Sequence, residues 1–267
     1  MAKVTTQDGV FIEGGTWVGG IAPIVTDDCE IGHAVTGPPG VALGSAVIDG
    51  GSWDTGGAQA VVISGVTGSI FNLLPGTSFT NTGGTVTFAS LSGTPTWGMD
   101  ATATFDSAVV INNAGTTSFT AGSAIRCTGF TLTAGVYMDG GFAHTVSGDF
   151  LPAAGAITST GNWTLTGTGN LSIALACRPA TLTVSGTYTA TANSYAKAMA
   201  GSGSLQLVNT TFQIVPAANS FCTFTGTLAA SGTGKLLIGD LVNGRTNAGF
   251  TVECPLDLRI SPSGTAT

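Results

Sequence analysis

Val10-Phe11-Ile12-Glu13-Gly14-Gly15-Thr16-Trp17 is answered further along by Ala46-Val47-Ile48-Asp49-Gly50-Gly51-Ser52-Trp53, and a looser third version reads Val136-Tyr137-Met138-Asp139-Gly140-Gly141-Phe142. In each, a run of β-formers ends in an acid and a glycine pair. β-Branched and aromatic residues favour extended backbone, and glycine lets the chain reverse sharply. The acids at 13, 49 and 139 are separated by 36 and 90 residues, both multiples of 18. A strand-turn unit recurring on a grid near that size is the signature of β-solenoid coils. On this reading Glu13, Gly14, Gly15, Asp49, Gly50, Gly51, Asp139, Gly140 and Gly141 build one structural turn, repeated. The acid caps it through its own carboxylate. The expected class is all-β, a right-handed parallel β-helix. A β-sandwich is the alternative, because glycine-rich turns between short alternating strands suit one as well.

Outward from these phrases the pattern is monotonous. Thr85-Val86-Thr87-Phe88, Thr102-Ala103-Thr104-Phe105, Thr131-Leu132-Thr133 and Thr181-Leu182-Thr183-Val184 alternate a small polar residue with an apolar one. Period-two alternation marks strands buried on one side. A second phrase recurs as Gly167-Thr168-Gly169-Asn170-Leu171-Ser172-Ile173, Gly201-Ser202-Gly203-Ser204-Leu205-Gln206-Leu207 and Gly232-Thr233-Gly234-Lys235-Leu236-Leu237-Ile238. Only Ala192–Ala200 has the composition for a short helix. The expected organisation is an N-terminal cap or docking segment with the first coil (1–45), a solenoid body (46–240) and a C-terminal cap or docking segment (241–267). Gly37-Pro38-Pro39-Gly40 interrupts the first of these with a loop.

These phrases resemble known repeats. The glycine-rich G-x-G-x-L phrases with Thr181–Thr189 between them are similar to autotransporter passenger repeats. The Ile-acid-Gly-Gly-Ser/Thr-Trp phrase resembles coils of pectin-lyase-like β-helices, which occur in bacteriophage spikes, fibres and head decorations. The resemblance covers residues 10–240 as a style and implies a fold more than a single family. Met1–Asp8 has no basic stretch followed by an apolar run, so secretion by a leader is not expected. That favours the phage-like side: a virion protein made in a host cytoplasm. A cell-surface adhesin is the alternative.

Composition narrows the functional classes. Charged residues are 8% of 267, against roughly 25% in an average globular domain. Hydrophobic residues are 43%, enough for a core. The net charge is −7 and the seven bases are scattered, so neither nucleic acid nor an anionic membrane has a basic footprint. No run is long and apolar enough for membrane insertion. The five cysteines (Cys29, Cys127, Cys177, Cys222, Cys254) lack metal or redox spacing and read as buried thiols.

Chemistry-bearing residues are sparse. The turn acids read as caps, although paired acids also serve glycosidases. His144 and Asp149 share a polar loop without the elbow that exposes a nucleophilic serine. Trp17, Trp53, Trp97 and Trp163 are candidate interface residues, packing between coils or subunits or offering rings to a sugar. Thr-x-Thr pairs at 164/166, 181/183 and 223/225 are irregularly spaced and read as hydroxyls solvating strands. No cofactor is expected. The expected function is a non-enzymatic virion component (capsid decoration, head fibre or spike). It would assemble with itself as a homotrimer and with other virion proteins such as the major capsid protein, with a host-surface glycan as a further partner. A carbohydrate-binding or polysaccharide-degrading spike is the other alternative.

Overall fold

The structure is a computed structural model that describes residues 3–24, 27–65, 68–89, 93–113, 118–158, 160–215 and 222–238. The expected cap over 241–267 lies outside them. The chain winds into a parallel β-solenoid of about nine turns. Each strand-to-strand pairing among the described strands is parallel, which excludes the sandwich.

The coil is three-sided. The first face stacks Lys3–Val4, Asp28–Ile31, Ser45–Ile48, Gly68–Leu73, Pro95–Met99, Ser118–Ala121, Val136–Met138 and Ala156–Thr158. After a 3-10 turn at Leu175–Cys177 the first face continues through Ser194–Ala196, Thr211–Ile214 and Lys235–Ile238. Two long strands, Ser78–Ala89 and Thr104–Asn112, bend round a corner and join the second and third faces. Beyond them the second face runs from Arg126–Cys127 to Cys222–Phe224, and the third from Gly129–Ala134 to Thr227–Ser231.

Steps between coils are uneven. Cys29 lies beside Ala46, 17 residues on, whereas Phe71 lies beside Trp97, 26 residues on. The 90 residues from Asp49 to Asp139 therefore span four coils, not five of 18. Glu13 does not share their grid at all. The pairing fixes the width of each strand, while turn length varies freely. The third G-x-G phrase departs in the same way: Thr168–Leu171 and Ser204–Val208 stack two coils apart on the third face, but Lys235–Ile238 is on the first. The expected helix at Ala192–Ala200 is instead two strands, Ser194–Ala196 and Met199–Gly201. Pairing with Thr211–Ile214 and Thr181–Val184 overrides alanine's helical preference.

Identical register stacks like on like. His144, Trp163, Leu182 and Met199 form one inward file on the second face. Inside, rings touch in an unbroken series. Phe11 stacks on Trp53 at 4.8 Å, Trp53 meets Phe79 at 5.1 Å, and Phe79 stacks on Phe105 at 5.3 Å. The series passes through Phe71, Phe88, Phe119, Tyr137 and Phe130 to Trp163. Beyond it Leu165, Leu171, Leu182, Val184, Leu205 and Leu207 fill the tube, all fully buried. At the bend of the strand Ser78–Ala89 a buried Asn81 satisfies all its valences. Its Oδ1 accepts from Thr55 Oγ1 and Gln59 N, both 2.9 Å, and its Nδ2 donates to Gln59 O and Ser107 Oγ, both 3.1 Å. Cys29, Cys127 and Cys177 are buried free thiols, pushed up to about 12, 12 and 11 by desolvation.

The glycine-rich phrases earn their place at the corner between the second and third faces. Gly167, Gly186, Gly203 and Gly226 stack there, and a Cβ on any of them would collide with a backbone carbonyl of the coil below. For Gly186 the obstacle is the carbonyl of Gly167. Gly186→Ala should therefore destabilise by about 1–3 kcal/mol, the usual range for overpacking. Gly15→Ala, where a Cβ meets nothing within 4 Å, should stay within about 0.5 kcal/mol. Chemical denaturation of both variants checks the order, and equal losses would refute the corner ladder.

Candidate functional site

The three acid-Gly-Gly turns do not occupy equivalent places. Asp49 and Asp139 each follow a first-face strand at the same corner. Glu13 instead follows the strand Gly9–Val10, which pairs with Ala34–Thr36 in a different sheet, and opens a 3-10 turn over Gly14–Thr16. Glu13 and Asp49 are exposed, and Glu13 makes no side-chain cap. Asp139 is fully buried. Its Oδ1 accepts from Gly141 N at 3.0 Å and Thr160 N at 3.2 Å, and its Oδ2 accepts from Gly161 N at 3.2 Å. So one of the three acids ties two coils together, and no row of carboxylates forms along an edge. The glycines also divide. Gly50 and Gly140 have φ of 79° and 66°, a left-handed geometry that suits glycine. Gly51 has no room for a Cβ because the backbone of His33 passes beside it, while Gly14 is blocked by the carbonyl of Gly20.

Of the places open to the four tryptophans, the one observed is between coils, in the core. Trp17, Trp53, Trp97 and Trp163 are at most 2% exposed. Three donate Nε1–H inside the tube, Trp17 to Phe11 O at 2.8 Å, Trp53 to Gly37 O at 2.9 Å and Trp97 to Tyr137 Oη at 3.1 Å. Trp163 Nε1 has no partner. Strand alternation turns Trp53, Trp97 and Trp163 inward, while Trp17 closes the 3-10 turn Gly14–Thr16 with its ring in the core.

His144 and Asp149 do not converge. His144 is fully buried in the strand Ala143–Val146. Its Nδ1 accepts from Ile125 N at 3.1 Å, so Nε2 carries the proton and donates to Asp139 O at 3.0 Å. Asp149 is exposed and accepts from Asn170 N at 2.7 Å and Asn170 Nδ2 at 3.2 Å. A nucleophilic triad is not built. Arg126 is likewise occupied, donating from Nη2 to Asp100 O at 2.8 Å and Ala103 O at 2.9 Å.

A recess on the first face is the better candidate, and it was missed in the sequence. The outward file there runs Glu30, Val47, Asn72, Gly98. Gly98 is followed on the next coil by Gly122, whose N–H donates to Trp97 O at 2.6 Å. Two stacked glycines at outward positions leave a side-chain-free floor, a known sign of close approach by another group. The recess holds about 470 Å³, rimmed by Ser69, Asn72, Thr96, Ser123, Asp100 and Pro75. Ser123 Oγ is engaged with the backbone of Met99 at 2.8–2.9 Å, and Thr96 Oγ1 donates to Gly68 O at 3.2 Å. Asp100 is half-buried, and its carboxyl is held below the usual range by the hydroxyl and N–H of Thr102, at 2.6 and 2.8 Å. Among the described residues lining the recess it is the one acid, so paired-carboxylate hydrolysis has no second group there. The chemistry on offer is hydrogen bonding to a neutral, polar ligand.

Among the described residues no group of three or more His, Cys, Asp or Glu is placed to hold a metal ion, and no helix is long and apolar enough to cross a membrane. Comparison with known protein families, curated proteins and solved structures finds no match.

Burial holds His144 below the ordinary histidine value of 6.5. In the unfolded chain the ring takes a proton as pH falls through that value, while in the fold it stays neutral. The unfolded state then binds more protons, so stability is lost as pH drops below about 6.5 and the loss levels off below the folded value. Asp139 and Tyr137 are the titratable neighbours that face the ring. Melting temperatures between pH 7.5 and 5.5 should fall less steeply for His144→Gln than for the parent chain. Parallel curves would show that this ring carries none of the dependence.

Proposed function

We propose that this chain is a non-enzymatic structural component of a bacteriophage particle: a capsid decoration, head fibre or spike. It works as a stiff, low-charge rod assembled with sister copies, as a homotrimer, and with the major capsid protein. The observation that carries this reading is the use of the chain's chemistry for the coil itself. Asp139, His144 and Arg126 all spend their polar atoms on neighbouring coils. The walls outside carry short uncharged files, such as Thr145, Thr164 and Thr183 on the second face and Thr168, Thr187, Ser204 and Thr227 on the third. Such walls bury against another surface at little desolvation cost, since few charges must be stripped of water. The net charge of −7 keeps free copies soluble before assembly.

A second reading, a carbohydrate-binding spike, draws on the recess at Gly98 and Gly122, whose amide, carboxylate and hydroxyl rim suits a neutral polyol. The surface adhesin has no such particular support. Quantitative mass spectrometry of density-purified particles from the source culture, beside the cell-surface fraction, decides among them. The proposal expects the chain in the particle band at a fixed ratio to the major shell protein. Enrichment on cell surfaces with absence from particles would overturn it.

A further inference from the structure

The first coil ends in an unusual cap. Segment Thr16–Val18 folds back along the open edge of the first-face strand. Thr5 bridges Trp17 in antiparallel fashion, Val18 N donates to Val4 O at 2.8 Å, and Thr6 N donates to Thr16 O at 2.9 Å. This satisfies the edge that would otherwise pair with any passing strand. Solenoid caps normally turn a polar face outward, because no further coil covers them. Here the cap exposes Ile12 at 60%, Val18 at 56%, Ile21 at 61% and Ile24 at 64%. The loop is closed on itself, since Gly14 packs against Gly20 and Ile21 too tightly to admit a Cβ. Four branched aliphatics, each more than half exposed, fall within thirteen residues of this cap, a density of exposed apolar side chains that marks a contact surface.

The charges in the same stretch say what fits it. Five of the chain's 14 acids, Asp8, Glu13, Asp27, Asp28 and Glu30, fall in the first 30 residues, with Lys3 as the single base. Asp8, Glu13 and Asp28 are exposed. Two copies meeting head to head would bring these acids together, which disfavours self-docking. We propose that this end of the rod docks on a separate protein whose contact surface has an apolar centre rimmed by Lys and Arg. The acids steer the encounter and set its orientation, and the aliphatics hold it. This rests on the reading of the chain as an assembly component, but it assigns the contact to one end instead of the walls.

The test uses the full chain and two labelled peptides, one alternating Leu with Lys and its match alternating Leu with Glu. Fluorescence anisotropy should show the Leu/Lys peptide binding, more weakly as salt rises. The double variant Ile12→Ser, Ile21→Ser should bind at least tenfold more weakly with an unchanged melting temperature, and Glu13→Gln should reduce the salt dependence. Equal binding of the Leu/Glu peptide, or no loss in the double variant, would overturn the proposal. Sedimentation that finds the parent chain dimeric and the double variant monomeric would overturn it in favour of a second copy. A photo-crosslinker at position 21 that joins residues 239–267 of the same chain would overturn it in favour of the chain's own tail. Absence from particles would sink the virion reading alone and leave these binding results standing.

Discussion

Parallel hydrogen bonding between successive coils governs the rest of this molecule. Each strand must accept and donate along its full length to the strand one turn earlier and the strand one turn later. That fixes the register, and a fixed register puts every inward residue above an inward residue of the coil before. The aromatic series from Phe11 to Trp163 and the leucine-rich files that follow are consequences. So is the glycine corner, where coils held at this separation leave no space for a side chain. Turns carry no such obligation, and their lengths vary freely.

The same constraint limits where function resides. Among the described residues the tube is filled by its own rings and aliphatic side chains. Polar groups that enter the wall, such as Asp139, His144 and Asn81, are drawn into bonds that link coils. What remains for other molecules is the outside: walls of short hydroxyl-bearing residues, a recess where two outward glycines stack, and the ends. Among the described residues, the N-terminal stretch 8–30 combines four exposed aliphatics with five acids.

The fold was legible because period-two alternation and glycine-rich turns are local features. Thr85–Phe88 and Thr181–Val184 behave as their sequence reads, with Val86, Phe88, Leu182 and Val184 inward. Register was not legible. The acid-Gly-Gly phrases look alike as text, yet Glu13 turns a different corner from Asp49 and Asp139, and only Asp139 caps with its side chain. Which way a tryptophan points depends on its parity within a strand, and that was set by the coil below, not by the Gly-Gly before it. The recess at Gly98 and Gly122 joins residues 24 positions apart that no short motif connects. The threonines at 164, 183 and 223 are irregularly spaced along the chain but fall in one file on the second face, with Ala200 between the last two.

The stacking itself is open to direct measurement. Thr145, Thr164, Thr183, Ala200 and Thr223 occupy one file on successive coils. Four steps of about 4.8 Å place positions 145 and 223 about 19 Å apart. Pulsed electron-spin resonance between nitroxide labels at those two positions should give a narrow distribution near that distance, widened only by the label arms. A broad distribution, or a separation beyond about 30 Å, would contradict the coil register on which the account depends.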